Sequence, residues 1–211
     1  MAGQHPHIRG LYPIIDVGFL REAKGEPLRA AEGVLSGGAK LIQLRAKGLP
    51  SGEFLRLALS LSELVHLFGA VLIINDRPDI ALLSGDCGVH LGADDLPLRT
   101  ARKILGPDRI IGISTHSMEE ALEAQAEGAN YVAFGPIFTT YTKVGVHSPR
   151  GLEPIREIKA HLKVPLVAIG GINLENCRQV MEAGADAVAV ISALLSAPDI
   201  KRRTEEFLEA L

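Results

Sequence analysis

Acidic, cationic and hydroxyl side chains recur in this chain at the points where short apolar runs stop. Gln43, Arg45 and Lys47 occupy every second position as the run KLIQL (40–44) ends. Alternate residues of a strand point the same way, so this spacing predicts that the three project together, carrying two positive charges. A charged loop edge is the plainer alternative. Asn75-Asp76-Arg77 closes the run VLIIN (71–75), and GVHL (88–91) runs out into Gly92, Ala93, Asp94 and Asp95. Two acids from adjacent loops can share one Mg2+, which favours one or two carboxylates plus phosphate oxygens of a substrate. Helix capping by Asp94 or Asp95, ahead of Leu96-Pro97, is the competing use.

Further along, Ser114 or His116 in GISTHS (112–117) can touch a ligand or serve the structure. Gly170-Gly171 leads into Ile172-Asn173, and Ile191-Ser192 closes AVAVI (187–191). Backbone N–H groups at such glycine turns and helix starts suit phosphate, although a tight turn alone also needs glycine. The stretch VAFGPIFTTYTK (132–143) joins a buried strand, broken at Gly135-Pro136, to Thr139, Thr140, Tyr141, Thr142 and Lys143. This set combines one carboxylate-bound metal, several cations and hydroxyls, and a separate glycine-rich phosphate site. It points to two phosphorylated ligands, one of them a diphosphate. No Ser-His-Asp order or zinc ligand set competes with it.

Eight short apolar, β-branched runs must position these residues: LYPII (11–15), KLIQL (40–44), VLIIN (71–75), GVHL (88–91), RIIGI (109–113), YVAF (131–134), PLVAI (165–169) and AVAVI (187–191). Their hydrophobicity is continuous rather than alternating, which means strands covered on both faces, hence parallel strands with helices outside. Helical stretches separate them. Residues 51–68 carry a broad apolar face. Ser117, with Glu120 three residues on, opens a helix that Gly128 closes. Asn173 is expected to open another, ended by Gly184. A repeat of about 25 residues over eight strands fits a single (β/α)8 TIM barrel spanning 1–211, with its site at the carboxyl ends of the strands. An open doubly wound sheet fits less well, because no G-x-G-x-x-G follows the first strand.

Composition narrows the function classes. A net charge of −3 supplies no basic field for nucleic acid or an anionic membrane, so any anion site is local. No apolar run approaches the roughly 20 residues of a membrane span. The N-terminus shows no apolar signal core, and Cys87 and Cys177 stand apart, so free thiols in the cytoplasm are expected.

Read together, QLRAK (43–47), INDRPDIAL (74–82), GVHLGADDLP (88–97), GISTHS (112–117), GPIFTTYTK (135–143), AIGGIN (168–173) and AVISALL (189–195) resemble the thiamine phosphate synthases. The likeness runs through nearly the whole chain in the same order, and G-P-x-F-x-T-x-T-K is its most specific piece. The resemblance implies an eightfold barrel and a Mg2+-dependent transferase of thiamine biosynthesis. Its small-molecule substrates would be the diphosphate of hydroxymethyl aminopyrimidine and a phosphoethyl thiazole or its carboxylated precursor. Products would be thiamine phosphate and pyrophosphate. It further implies that Gln43, Arg45, Lys47 and Asn75 bind the pyrimidine diphosphate, and that Ser114 and Lys143 contact its diphosphate. Asp76 and Asp95 would hold Mg2+, and Thr140, Thr142, Gly171, Ile191 and Ser192 would contact the thiazole phosphate. Arg45, Lys47, Ser114 and Lys143 would be the catalytic set. Ala93 stands where the family often has glutamine, and Val144 where it often has a second lysine; both bear on local loop contacts only. A thiazole tautomerase of the same fold, using a histidine such as His116, is the alternative enzyme, and a non-catalytic binding barrel the alternative class. Neither needs the full set of Arg45, Lys47, Asp76, Asp95 and Lys143.

Overall fold

The apolar runs become eight parallel strands closed into one barrel in the computed structural model, which describes residues 8–140 and 148–211. The strands are β1 (Gly10–Asp16), β2 (Leu41–Arg45), β3 (Val71–Asn75), β4 (Gly88–Leu91), β5 (Ile111–Thr115), β6 (Tyr131–Phe134), β7 (Leu166–Ile169) and β8 (Ala187–Val190). Each pairs with its sequence neighbour, and β1 closes the ring on β8 from Gly10 opposite Ala187 to Pro13 opposite Val190. Every residue of β3 except its first, and all of β4, β6 and β8, are buried, as strands with helices on one side and a filled interior on the other must be.

The outer layer contains α1 (Val17–Glu22), α2 (Pro27–Ser36), α3 (Ser51–Leu67), α4 (Pro78–Leu83), α5 (Leu98–Leu105) and α6 (Met118–Ala126). It continues with α7 (Glu153–His161), α8 (Cys177–Glu182), α9 (Ser192–Leu195) and α10 (Ile200–Ala210). In α3 the buried residues Phe54, Ala58, Leu61 and Val65 follow the spacing of one helical face. Ser117 caps α6 by accepting from the Glu120 backbone N–H at 3.2 Å, and the Glu120 carboxylate reaches back to the His116 N–H at 2.6 Å. Cys87 and Cys177 are buried free thiols. Among the described residues, no helix is long and apolar enough to cross a membrane.

β5 runs to Thr115, two residues past the apolar run 109–113, which makes Ser114 a strand residue. The polar side chains of β5 find partners on the neighbouring strands; Thr115 Oγ1, for example, donates to the Ala133 carbonyl of β6 at 3.1 Å. Asn173 does not open α8. Its Oδ1 accepts from the N–H groups of Glu175 and Asn176, which makes a side-chain-closed turn, and the helix starts only at Cys177.

Gly112 leaves space for an aromatic ring. It pairs with His90 on one side and Tyr131 on the other, and a Cβ at 112 would lie 1.9 Å from Tyr131 Cζ. Backbone and ring cannot both stay in place. Gly112→Ala is therefore expected to lose about 3 kcal/mol, the upper end of ordinary overpacking costs, read as a lower urea midpoint at unchanged slope. A midpoint unchanged from the parent protein would mean that the ring has room to move.

Candidate active site

Arg45 ends β2 and Asp16 ends β1, and the register sets them side by side. The Arg45 guanidinium donates to Asp16 Oδ2 in a pair that is mostly shielded from water. Asp16 Oδ1 also accepts from the Phe19 N–H at 3.0 Å and caps α1. One carboxylate thus ties a strand end, a helix start and a cation together. Sequence reasoning missed Asp16; its signal is an acid between an apolar strand and a helix.

Lys47 departs from its expected direction. β2 ends at Arg45, and the chain then turns, with the Leu49 N–H donating to the Ala46 carbonyl at 3.2 Å. Strand alternation stops there. Gln43 stays in the barrel interior, Arg45 meets Asp16, and the Lys47 ammonium lies 3.3 Å from Asp76 Oδ2. Both cations therefore already face carboxylates.

Asp76 follows β3 in a left-handed conformation, φ 65°, which aspartate tolerates better than most residues. Its N–H donates to the His90 carbonyl at 2.8 Å. Asp95 closes a tight turn after β4, with Oδ2 accepting from the Gly92 N–H at 2.7 Å. It does not cap α5, whose N-cap is Pro97. Burial first, then a hydrogen bond with the Asp76 carboxyl, pushes the Asp95 carboxyl above the usual carboxylate range. A second negative oxygen nearby is costly unless a proton or a cation lies between them. The donors are hard oxygens. Among the described residues, no group of three or more His, Cys, Asp or Glu side chains collects anywhere, so the chain itself offers only this pair of carboxylates here. That donor chemistry fits Mg2+ completed by substrate oxygens rather than zinc.

Inside the barrel, polar side chains connect strand to strand. Gln43 Nε2 donates to the Tyr12 hydroxyl at 3.0 Å, and the Tyr12 and Tyr131 hydroxyls are 2.8 Å apart. Tyr131 lies 2.9 Å from His90 Nδ1, and His90 Nε2 lies 2.8 Å from Ser114 Oγ. Burial raises the pKa of both phenols, so both stay protonated. Tyr12, Tyr131 and His90 do not stand out in the sequence; a polar residue within a run of buried ones is their only signal.

Two cavities open at the carboxyl rim. The larger, about 890 Å3, is lined by Arg45, Ser114, His116, Thr139, Thr140, Gly171, Ile191 and Ser192 among others. The smaller, about 240 Å3, is lined by Lys47, Asn75 and Asp76. Gly170 and Gly171 both have positive φ, 100° and 66°. The backbone nearest them is that of the loop after β6: a Cβ at 170 would lie 2.6 Å from Pro136 Cβ, and one at 171 would lie 2.5 Å from the Thr139 carbonyl. Close packing of two loops is thus the first reason for glycine here. The peptide Gly135–Pro136 is cis, and the Gly135 carbonyl lies 2.7 Å from His116 Nδ1. Tyr141, Thr142 and Lys143 lie outside the described residues.

A closed parallel barrel with a glycine-bordered cavity at its carboxyl rim has the architecture of the (β/α)8-barrel enzymes. Residues 11–194 match the family model described as thiamine monophosphate synthase. The thiamine-phosphate synthase of Shouchella clausii is 47% identical over 180 residues, 85% of this chain and 86% of that protein. That of Moorella thermoacetica is 45% identical over 188 residues, 89% of this chain and 90% of that protein. A solved thiamine phosphate pyrophosphorylase from Pyrococcus furiosus is 39% identical, with a TM-score of 0.87 over 97% of this chain and 95% of its own. The chain belongs to the thiamine monophosphate synthase family and is a transferase.

Proposed function

We propose that this chain, acting as one catalytic domain over 1–211 in the cytoplasm, couples an aminopyrimidine-methyl diphosphate to a thiazole phosphate in a Mg2+-dependent reaction. The observation that carries this reading is the meeting of the Asp76 and Asp95 carboxylates beside Lys47. Asp76 and Asp95 would hold Mg2+, and the bound ion would neutralise charge on the diphosphate oxygens. Arg45, Lys47 and Lys143 would face the same diphosphate, and Ser114 would donate to it. Gln43 and Asn75 would hold the pyrimidine end. Thr140, Thr142, Gly171, Ile191 and Ser192 would take the thiazole phosphate, whose chemistry suits the cavity rim that Gly171 and Ser192 border.

The residues then have a defined task. The C–O bond to the departing diphosphate breaks, its electron pair leaves with pyrophosphate, and the aminopyrimidine stabilises the benzyl-like cation. The neutral thiazole nitrogen donates its lone pair to that methylene carbon. No proton moves, so neither a nucleophile nor a strong base is needed on the chain. Stabilising the leaving group and positioning the nitrogen account for catalysis. The tautomerase alternative would use His116 for proton transfer and would have no use for the Lys47, Asp76 and Asp95 cluster.

The reaction itself is the test. Purified protein with both substrates and Mg2+ is expected to release thiamine phosphate and pyrophosphate in equal amounts, to stop when the metal is chelated, and to resume when it is restored. Folded protein that yields no thiamine phosphate would sink the proposal. A His116→Ala variant should retain most coupling activity, whereas the proton transfer of a tautomerase would collapse in it.

A further inference from the structure

The five side chains Gln43, Tyr12, Tyr131, His90 and Ser114 make one line of hydrogen bonds across the barrel, and counting their protons gives the line a direction. Gln43 Nε2 donates to the Tyr12 oxygen. A phenol has one proton. If Tyr131 donated to Tyr12, the Tyr12 oxygen would accept twice, and its own proton would lack an acceptor in a side chain only 1% exposed. Such an orphan carries the full desolvation penalty of a polar group, and no buried side-chain nitrogen or oxygen among the described residues lacks a partner. Tyr12 therefore donates to Tyr131. The Tyr131 proton is then free for His90 Nδ1, which must be the bare nitrogen. The imidazole proton sits on Nε2 and is donated to Ser114 Oγ.

We propose that Tyr131 and His90 are positioning residues which fix the imidazole tautomer, so that Ser114 accepts from His90 and keeps its own hydroxyl proton for the ligand. The consequence deepens the function proposed above and rests on that reading where the ligand is concerned. Ser114 lines the larger cavity together with Arg45, and the function proposed above assigns both side chains to the diphosphate. With the opposite tautomer the Ser114 proton would be held by His90, and only oxygen lone pairs would face an anion. With this tautomer Ser114 is an obligatory donor, and a hydrogen bond to an anionic oxygen is about twice as strong as one between neutral groups. The elements supporting the line are consistent with it. The His90 and Tyr131 rings stack 5.5 Å apart at 19°, and Gly112 between them carries no side chain to intrude.

Nitrogen-15 NMR on the intact protein labelled at histidine, with the His90 signal assigned by its loss in His90→Gln, reads the tautomer directly. The proton is expected on Nε2. A proton on Nδ1 overturns the proposal, whatever reaction the chain catalyses. A double-mutant cycle reads the consequence in the coupling reaction. Ser114→Ala is expected to lower kcat by about 30-fold and Tyr131→Phe by about 10-fold, with the double variant no worse than Ser114→Ala alone, because both act through one proton. Losses that multiply to about 300-fold would assign Tyr131 a separate, merely structural role. Should Tyr131→Phe fail to fold, the NMR result on the parent protein still decides.

Discussion

Asp76→Asn is expected to lower kcat by about 100-fold or more and to raise the Mg2+ concentration needed for half-maximal rate. The substitution removes charge and leaves geometry intact, because asparagine adopts the left-handed φ of 65° seen at this position about as readily as aspartate. Stability should barely change. The Lys47 partner is 60% exposed, and an ion pair that wet contributes at most about 1 kcal/mol. Asp76→Asn even relieves the repulsion with Asp95 that helps to raise the Asp95 carboxyl. The signature is therefore a large catalytic loss in a protein that unfolds at its usual temperature. Steady-state rates over a Mg2+ titration, alongside a thermal unfolding curve, measure both. An unchanged Mg2+ dependence would take Asp76 out of the metal's coordination.

Asp16→Ala should show the reverse balance, with stability as the main loss. Its carboxylate is 4% exposed and serves both the Arg45 guanidinium and the first turn of α1. Deleting one partner of a buried ion pair typically costs about 3–5 kcal/mol, because the remaining charge has no counterpart. Losing a helix N-cap adds about 1 kcal/mol. Arg45 has some exposure and can lean toward water, so a total of about 3 kcal/mol is expected, read by urea denaturation. Asp16→Asn keeps the acceptor for the Phe19 N–H and should cost clearly less. The freed guanidinium should also hold the diphosphate substrate more loosely, raising its KM. A denaturation midpoint within error of the parent would show that the pair contributes nothing to stability.

Different physical signals explain what was legible in the sequence. β3, β4 and β6 lie where the apolar runs 71–75, 88–91 and 131–134 put them, because parallel strands buried on both faces leave uninterrupted apolar runs. Arg45, Asp76 and Asp95 stood out because a charge where such a run stops is unusual. The interior network was harder to see. A polar residue such as Tyr12 or His90 reads as a mere interruption of its run, and its partners come from other strands; Tyr12 and Tyr131 are 119 positions apart. Lys47 lies two residues past the end of β2, so strand alternation does not set its direction, and the apolar run alone does not show where the strand stops. Asn173 reads as a cap because an asparagine that closes a turn carries the same local signature as one that starts a helix. Gly170 and Gly171 were tied to phosphate, whereas the contact visible first is with the neighbouring loop of their own chain.

A crystal structure with Mg2+ and pyrophosphate tests the site most directly. The account predicts one Mg2+ with carboxylate oxygens of Asp76 and Asp95 at about 2.0–2.1 Å and pyrophosphate oxygens completing its shell. Lys47 should have left Asp76 for the pyrophosphate, with Arg45, Ser114 and Lys143 around the same anion. Mg2+ and pyrophosphate bound away from Asp76 and Asp95, with those carboxylates still facing only each other and Lys47, would contradict it.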